Sequence, residues 1–255
     1  MNEVDQQIRA TSFGSAADDY ARYRPAPPAE AAEWAVGHSP GLVIDLAAGT
    51  GNLSRLLLRR TDEVVAVDID RRMLAALGDR LPGVARVAAR GEELPFLAGA
   101  AEAVVISSAW HWLDPARAWL EIARVIRPGG TFAVIWSGPD RSVPWVDDVL
   151  GQRGSDRGPG AAGDRPAGRR WNVDRPPDTP FSLAEERTFA AAVPYEVADL
   201  PGLAASYSRV MVLPPAERRA FREEVAARAA ARPELTAGTT VDLPLRGRVW
   251  RAVRT

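Results

Sequence analysis

Asp45 and Asp68 are the acids whose surroundings suggest chemistry. Asp45 ends the apolar run Leu42-Val43-Ile44 and is followed closely by the small residues Ala47, Ala48, Gly49, Thr50 and Gly51. An apolar run of this kind fits a strand buried on both faces. Leu53, Leu56 and Leu57 then share one helical face, so the segment reads strand, glycine turn, helix. Such a turn brings backbone N–H groups close to a ligand, and the helix start favours a carboxylate or phosphate. Asp68 closes a second apolar run, Val64 to Val67, 17 residues beyond Gly51. A carboxylate there accepts two hydrogen bonds side by side, which suits the two hydroxyls of a ribose. A tight strand–helix turn also occurs in α/β proteins that bind nothing at it, so the turn gains weight only together with Asp68.

The spacing separates the nucleotide classes. A dinucleotide site wants G-x-G-x-x-G, with the third glycine allowing close helix–strand packing. Here Ala47 takes the first position and Ser54 the third, so that fingerprint is broken twice. The pattern D-x-x-x-G-x-G from Asp45 to Gly51 instead resembles motif I of class I S-adenosylmethionine (SAM) dependent methyltransferases. That resemblance implies a loop of Ala47, Gly49, Gly51 and Asn52 around the methionine part, with Asp45 orienting its ammonium group. It implies Asp68 on the ribose and Ile69 on the adenine face. Family members more often carry glycine at position 47, so Ala47 is a mild departure that crowds the methionine pocket.

Three further stretches carry the resemblance. Phe13, Tyr20 and Arg24-Pro25 match an N-terminal segment that closes over the cofactor, which makes Tyr20 a cofactor candidate and Arg24 an acceptor candidate. Arg90-Gly91-Glu92-Glu93-Leu94-Pro95-Phe96 is similar to the family segment after the third strand, which implies Gly91 and Glu92 at the adenosine. Arg90 stands where an adenine-binding Asp is common, and a guanidinium cannot accept the adenine amino hydrogens. Ser107-Ser108-Ala109-Trp110-His111-Trp112-Leu113-Asp114 resembles a Trp-rich branch related to trans-aconitate-type enzymes. It places Ser107 at the cofactor, His111 as a general base or orienting donor, and Trp110 and Trp112 at a flat acceptor. Without that context, a histidine between two tryptophans is as well read as packing. Arg127-Pro128-Gly129-Gly130 before a strand also matches the family, as a structural turn.

Composition sets bounds. The chain has 255 residues, 46% hydrophobic and 25% charged, with a formal net charge of −1. That length suits one α/β domain with a modest insertion, and the charge offers no reason to expect nucleic acid or membrane partners. With no cysteine and two histidines, no metal site is expected. No apolar run reaches the ~20 residues of a membrane helix and MNEVDQQIRA lacks a signal-peptide core, so a cytoplasmic location is expected. The basic residues are all arginine, from which no function follows.

The elements that must position these residues can be read in order. Residues 1–41 form a helical cap, with a helix through Ala17 and Tyr20 and another over Ala29 to Val36. Residues 42–150 form the SAM-binding core, with strands at Leu42–Ile44, Glu63–Val67, Val84–Ala88, Ala103–Ile106 and Thr131–Trp136. Residues 151–180, rich in Gly, Pro, Arg and Asp, read as a flexible insertion or lid that Trp171 docks. Residues 181–255 complete the same domain: a strand from Glu186 to Val197, a helix near Leu200 to Ser206, a long helix from Pro215 to Arg232, and a last strand from Val241 to Val253. The resemblance implies that the late helices contribute to the acceptor pocket, where Tyr207 and Arg209 are candidates. The expected fold is a Rossmann-like, seven-stranded, mostly parallel α/β sheet with its last strand antiparallel. The expected function is methyl transfer from SAM to a small-molecule acceptor by a monomer or homodimer. A SAM-binding protein that transfers nothing, as in a cyclisation, and a nicotinamide oxidoreductase are the alternatives.

Overall fold

The computed structural model describes residues 17–37, 41–151, 173–236 and 238–255. The cap contributes α1 (Ala17–Tyr23) and α2 (Ala29–Val36). Pro25, Pro27 and Pro28 separate them, because proline removes the N–H that a continuous helix would need. Then come β1 (Val43–Leu46), α3 (Ser54–Leu57), β2 (Val64–Asp68), α4 (Arg71–Arg80), β3 (Ala85–Ala88) and β4 (Ala101–Ser107). After a short turn at Trp110–Trp112 the chain continues with α5 (Pro115–Val125), β5 (Ile126–Pro139), α6 (Pro144–Leu150) and β6 (Glu185–Glu196). The last elements are α7 (Leu200–Ala205), α8 (Ser208–Met211), α9 (Pro215–Ala230), α10 (Pro233–Thr236) and β7 (Thr240–Val253).

The seven strands form one sheet in the order β3-β2-β1-β4-β5-β7-β6. β1 to β5 run parallel, and β7 inserts antiparallel between β5 and β6. This is the expected Rossmann-like architecture, including the reversed last strand. Strand order turns back between β1 and β4, and that switch opens a crevice at the carboxyl ends of the two strands. Asp45 is level with Ala66 on β2 and Val105 on β4, so it stands at the floor of the crevice.

Alternate strand residues feed two separate cores, as period-2 side-chain direction requires. Ile44, Val104 and Phe132 face one side, with Trp119 and Ile122 of α5 laid over them. Val43, Val105 and Ile135 face the other, covered by Ala31, Ala32 and Ala35 of α2. A third cluster joins α6, α7 and α9 to Leu243 and Leu245 of β7. One sequence expectation is met in shortened form and one needs correction. The helix expected after the glycine turn is the single turn α3, so the macrodipole term there is small. Arg127-Pro128-Gly129-Gly130 ends the preceding helix, but β5 already begins at Ile126 and the segment forms an irregularity within the strand. Gly129 has φ +80°, and its N–H and the Gly130 carbonyl both pair with Arg254.

Trp119 is the centre of the first core. Its ring meets those of Trp110, Phe132, Phe181 and Trp250 at 5.2–5.8 Å. Its Nε1–H donates to the Asp174 carbonyl at 3.0 Å, which fastens the described end of the 151–180 insertion to the body. Residues 152–172, with the expected Trp171 anchor, and Phe13 of the cap lie outside the described residues. Trp119→Ala is expected to cost about 3–5 kcal/mol, read as a lower denaturant midpoint; a loss under ~1 kcal/mol would show that the aromatic cluster is not the core.

Candidate functional site

The site is built where β1, β2 and β4 end. Asp45 is fully buried, and the Ser54 hydroxyl donates to its Oδ2 at 2.6 Å. Its Oδ1 is also buried and accepts no hydrogen bond. Burial pushes the Asp45 carboxyl up to about 7; the Ser54 hydrogen bond opposes the shift and the nearby Asp68 charge adds to it. Ser54 is one of the two residues that break the dinucleotide fingerprint, and the structure gives it a positive task, orienting Asp45. Sequence pattern missed that task because it exists only through the turn of the loop.

Asp68 is nearly buried and braces the same loop. Its Oδ2 accepts the Gly49 N–H and its Oδ1 the Asp70 N–H, both at 2.8 Å. Each oxygen retains a lone pair for a further donor. Burial raises its pKa, opposed by the backbone hydrogen bonds from Asp70 and Gly49. Ala47, Gly49 and Gly51 all have positive φ, at 57°, 56° and 84°. Ala47 therefore takes a left-handed conformation that costs a non-glycine residue ~1 kcal/mol. The N–H groups of Ala48, Gly49 and Gly51 are used inside the protein, so the expected row of free turn donors is present only in part. A Cβ added at Gly49 would meet nothing within 4 Å, which marks open space beside the loop, whereas one at Gly51 would strike Leu77 at 2.8 Å.

The other candidates divide. Ile69 stays 38% exposed beside Asp68, a large apolar residue held at the surface of the crevice. Ser107 ends β4 level with Ile135, and Ser108 after it has φ 56°. His111 is exposed in the following turn, its ring 4.6 Å from that of Trp112. Asn52 reaches the cap: its Nδ2 donates to the Arg24 carbonyl at 3.0 Å. Tyr20 and Tyr207 flank the Arg24 guanidinium.

One assignment does not stand as expected, and two further residues have structural partners. Trp110 is buried against Trp119 and Phe132, so it packs the core and offers no face to an acceptor. Glu92 Oε1 accepts the Asp114 N–H at 2.8 Å, which commits that carboxylate to the entry of α5. Gly91 is buried beneath Leu113, where a Cβ would lie 2.8 Å from that side chain.

The Asp45 Oδ1 and the open space at Gly49 fit a ligand that is cationic at one end and fills the loop, and the Asp68 carboxylate fits one that carries hydroxyls. The fold is a Rossmann-like α/β sheet whose strand order turns back between β1 and β4, beside Asp45. Residues 44–134 match the methyltransferase domain family. An uncharacterised methyltransferase of Mycobacterium tuberculosis is 42% identical over 146 residues, 56% of this chain and 60% of its own. A demethylmenaquinone methyltransferase of Beutenbergia cavernae is 43% identical over 102 residues, 39% of this chain and 42% of that one. A solved structure from Anaeromyxobacter dehalogenans, described provisionally as a type II methyltransferase, shares the fold with a TM-score of 0.63 at 23% identity. That alignment covers 91% of this chain and 98% of the other. Residues 44–134 are thus similar to a methyltransferase domain, and the whole chain shares the Rossmann-like fold of a methyltransferase structure. It spans about 60% of the length of the mycobacterial relatives it matches. Among the described residues no helix is long and apolar enough to cross a membrane, and no group of three or more metal-ligating side chains occurs.

Asp45 gives a pH signature. Its carboxyl titrates higher in the folded chain than in the unfolded one, so the folded state holds the extra proton between pH 3.8 and about 7. The stability that this group contributes is complete below pH 3.8 and is lost as pH rises through that window. Asp45→Asn should therefore gain on the wild type by about 3–4 kcal/mol between pH 4 and pH 7.5 in urea unfolding. A difference independent of pH would show that Asp45 is not the buried acid described.

Proposed function

We propose that this protein transfers a methyl group from SAM to a small-molecule acceptor. The observation that carries the proposal is the single loop on which Asp45, Gly49 and Asp68 meet: a buried carboxylate with one unpartnered oxygen, open space beside a glycine, and a second carboxylate bonded to that glycine. Those three features match the amino-acid end, the body and the ribose of one ligand. In this reading Asp45 faces the ammonium group, with Ser54 holding its orientation. Ala47, Gly49, Gly51 and Asn52 line the methionine part, Asp68 takes the ribose hydroxyls, and Ile69 covers one adenine face. Ser107 closes the pocket from β4.

When bound, SAM supplies an electrophilic methyl on a sulfonium; the carbon–sulfur bond breaks as the acceptor's nucleophile bonds to carbon, and the electron pair stays on sulfur. The protein's share is positioning in line and keeping water out. Trp112 walls the acceptor side. His111, exposed at the end of the β4 turn, takes the proton when the nucleophile is a hydroxyl or protonated amine. The name of the mycobacterial relatives supports transfer, and the cap beside the loop supports a small acceptor.

The direct test is incubation with methyl-labelled SAM and a panel of phenols, small acids and natural-product scaffolds. Label in an acceptor is the expected result; tight SAM binding without label transfer to any of them would favour a protein that holds the cofactor for another reaction. Two variants locate the site. Asp68→Ala should weaken SAM binding by tenfold or more, since a hydrogen bond involving a charged group contributes ~1.5–3 kcal/mol and the loop also loses its brace. Gly49→Ala should weaken binding at least tenfold, because its methyl enters the open space beside the loop; the φ of +56° adds strain of ~1–2 kcal/mol, so an unfolding curve is read alongside to show that the variant is folded, and unchanged affinity would place the cofactor elsewhere. His111→Ala should lower turnover much more than SAM affinity, and wild-type values for both would remove it from the chemistry.

A further inference from the structure

The cap holds a cation that the cofactor reading leaves without work. The Arg24 guanidinium carbon lies 3.8 Å from the Tyr207 ring centroid and 5.4 Å from that of Tyr20. Its Nη2 donates to the Ser206 carbonyl at 3.2 Å, while its Nε is buried with no hydrogen-bond partner. Among the described residues, no carboxylate lies within ion-pair distance of it. The acids of the surrounding helices are engaged by other cations, Asp19 by Arg222 and Asp199 by Arg22. An uncompensated guanidinium in a partly desolvated place is costly, and the two aromatic faces offset only part of that cost.

Its orientation tells which ligand would meet it. The Arg24 carbonyl faces the glycine loop, where it accepts from Asn52. The side chain runs the other way, to Ser206 at the end of α7 and to Tyr207, whose hydroxyl would sit 3.6 Å from a Cβ at Gly138 of β5. The cation thus lies across from the methionine loop, against the wall that an acceptor would touch. Stacking holds the planar fork in one orientation, which is the arrangement that recognises an oxyanion in two-point fashion.

We propose that Arg24, clamped by Tyr20 and Tyr207, seats a carboxylate or phosphate group of the methyl acceptor, so that this protein acts on small anionic molecules. The proposal rests on the methyltransferase reading and narrows its substrate class. The rival source of the same chemistry is the carboxylate of the cofactor itself, and the test separates the two.

Calorimetry is run with S-adenosylhomocysteine first, and then with benzoate and benzamide titrated into the saturated protein. Benzoate is expected to bind at least tenfold more tightly than its uncharged isostere, benzamide. Arg24→Gln should bring benzoate down to the benzamide level while S-adenosylhomocysteine affinity stays within about twofold, which also reports an intact fold. Arg24→Lys, with the charge but not the fork, should fall between. Benzoate and benzamide behaving alike in the wild type, or neither binding, would overturn the proposal. So would an Arg24→Gln variant that loses S-adenosylhomocysteine and keeps benzoate, because the seat would then belong to the cofactor. A wild type that ignores S-adenosylhomocysteine but still separates benzoate from benzamide would keep the anion seat and remove the methyltransferase reading beneath it.

Discussion

The constraint that organises this molecule is a carboxylate taken fully out of water at the end of the central parallel strand. Asp45 is 0% exposed, with β2 on one side, β4 on the other and Ser54 above. A charged group is costly in such a place unless something compensates it. Here the compensation is incomplete: one oxygen has a hydroxyl partner and the other has none. The rest of the site follows from how the chain leaves that residue. It must turn sharply, and it does so through three positive-φ residues, one of them alanine. It is held in the turn by Asp68 on the neighbouring strand.

That second carboxylate makes the loop and the adjacent strand mechanically one unit. Asp68 accepts from Gly49 on one oxygen and from Asp70 on the other, and Asp70 in turn caps α4 by accepting the Arg72 N–H. A ligand hydroxyl at Asp68 would therefore be sensed by the turn. The cap is tied to the same loop through Asn52, and to the C-terminal helices through Ser206, Asp199 and Asp19. The crevice is thus bounded by segments far apart in sequence, all fastened to one turn.

Much of this could be read before the fold was known, for physical reasons. Strands buried on both faces appear as unbroken apolar runs, so β1, β2 and β4 and the acids at the ends of β1 and β2 stood out. The long run from Pro215 to Arg232 set α9 close to where it lies. The reversed last strand came from the family resemblance, not from any pattern in Thr240–Val253. What pattern could not give was the direction of single side chains. Trp110 and Trp112 are two residues apart and equally aromatic; one is buried within the core and the other stays half-buried at its edge, because the turn at Trp110–Trp112 points them differently. Glu92, expected at the ligand, also holds a backbone N–H 22 residues away. Ser54 and Arg24 gained their importance from partners across the fold, which no local spacing encodes.

The central claim is that the cofactor's amino-acid end lies over Asp45, and proton counting tests it most directly. The carboxyl titrates at about 7 in the free protein, so at pH 6 it is mostly protonated. A nearby ammonium group favours the ionised form. Titration of S-adenosylhomocysteine at pH 6, in buffers of differing ionisation enthalpy, should show release of up to about one proton per ligand bound. Asp45→Asn should release none. Binding with no buffer dependence, or the same release from the variant, would contradict the claim.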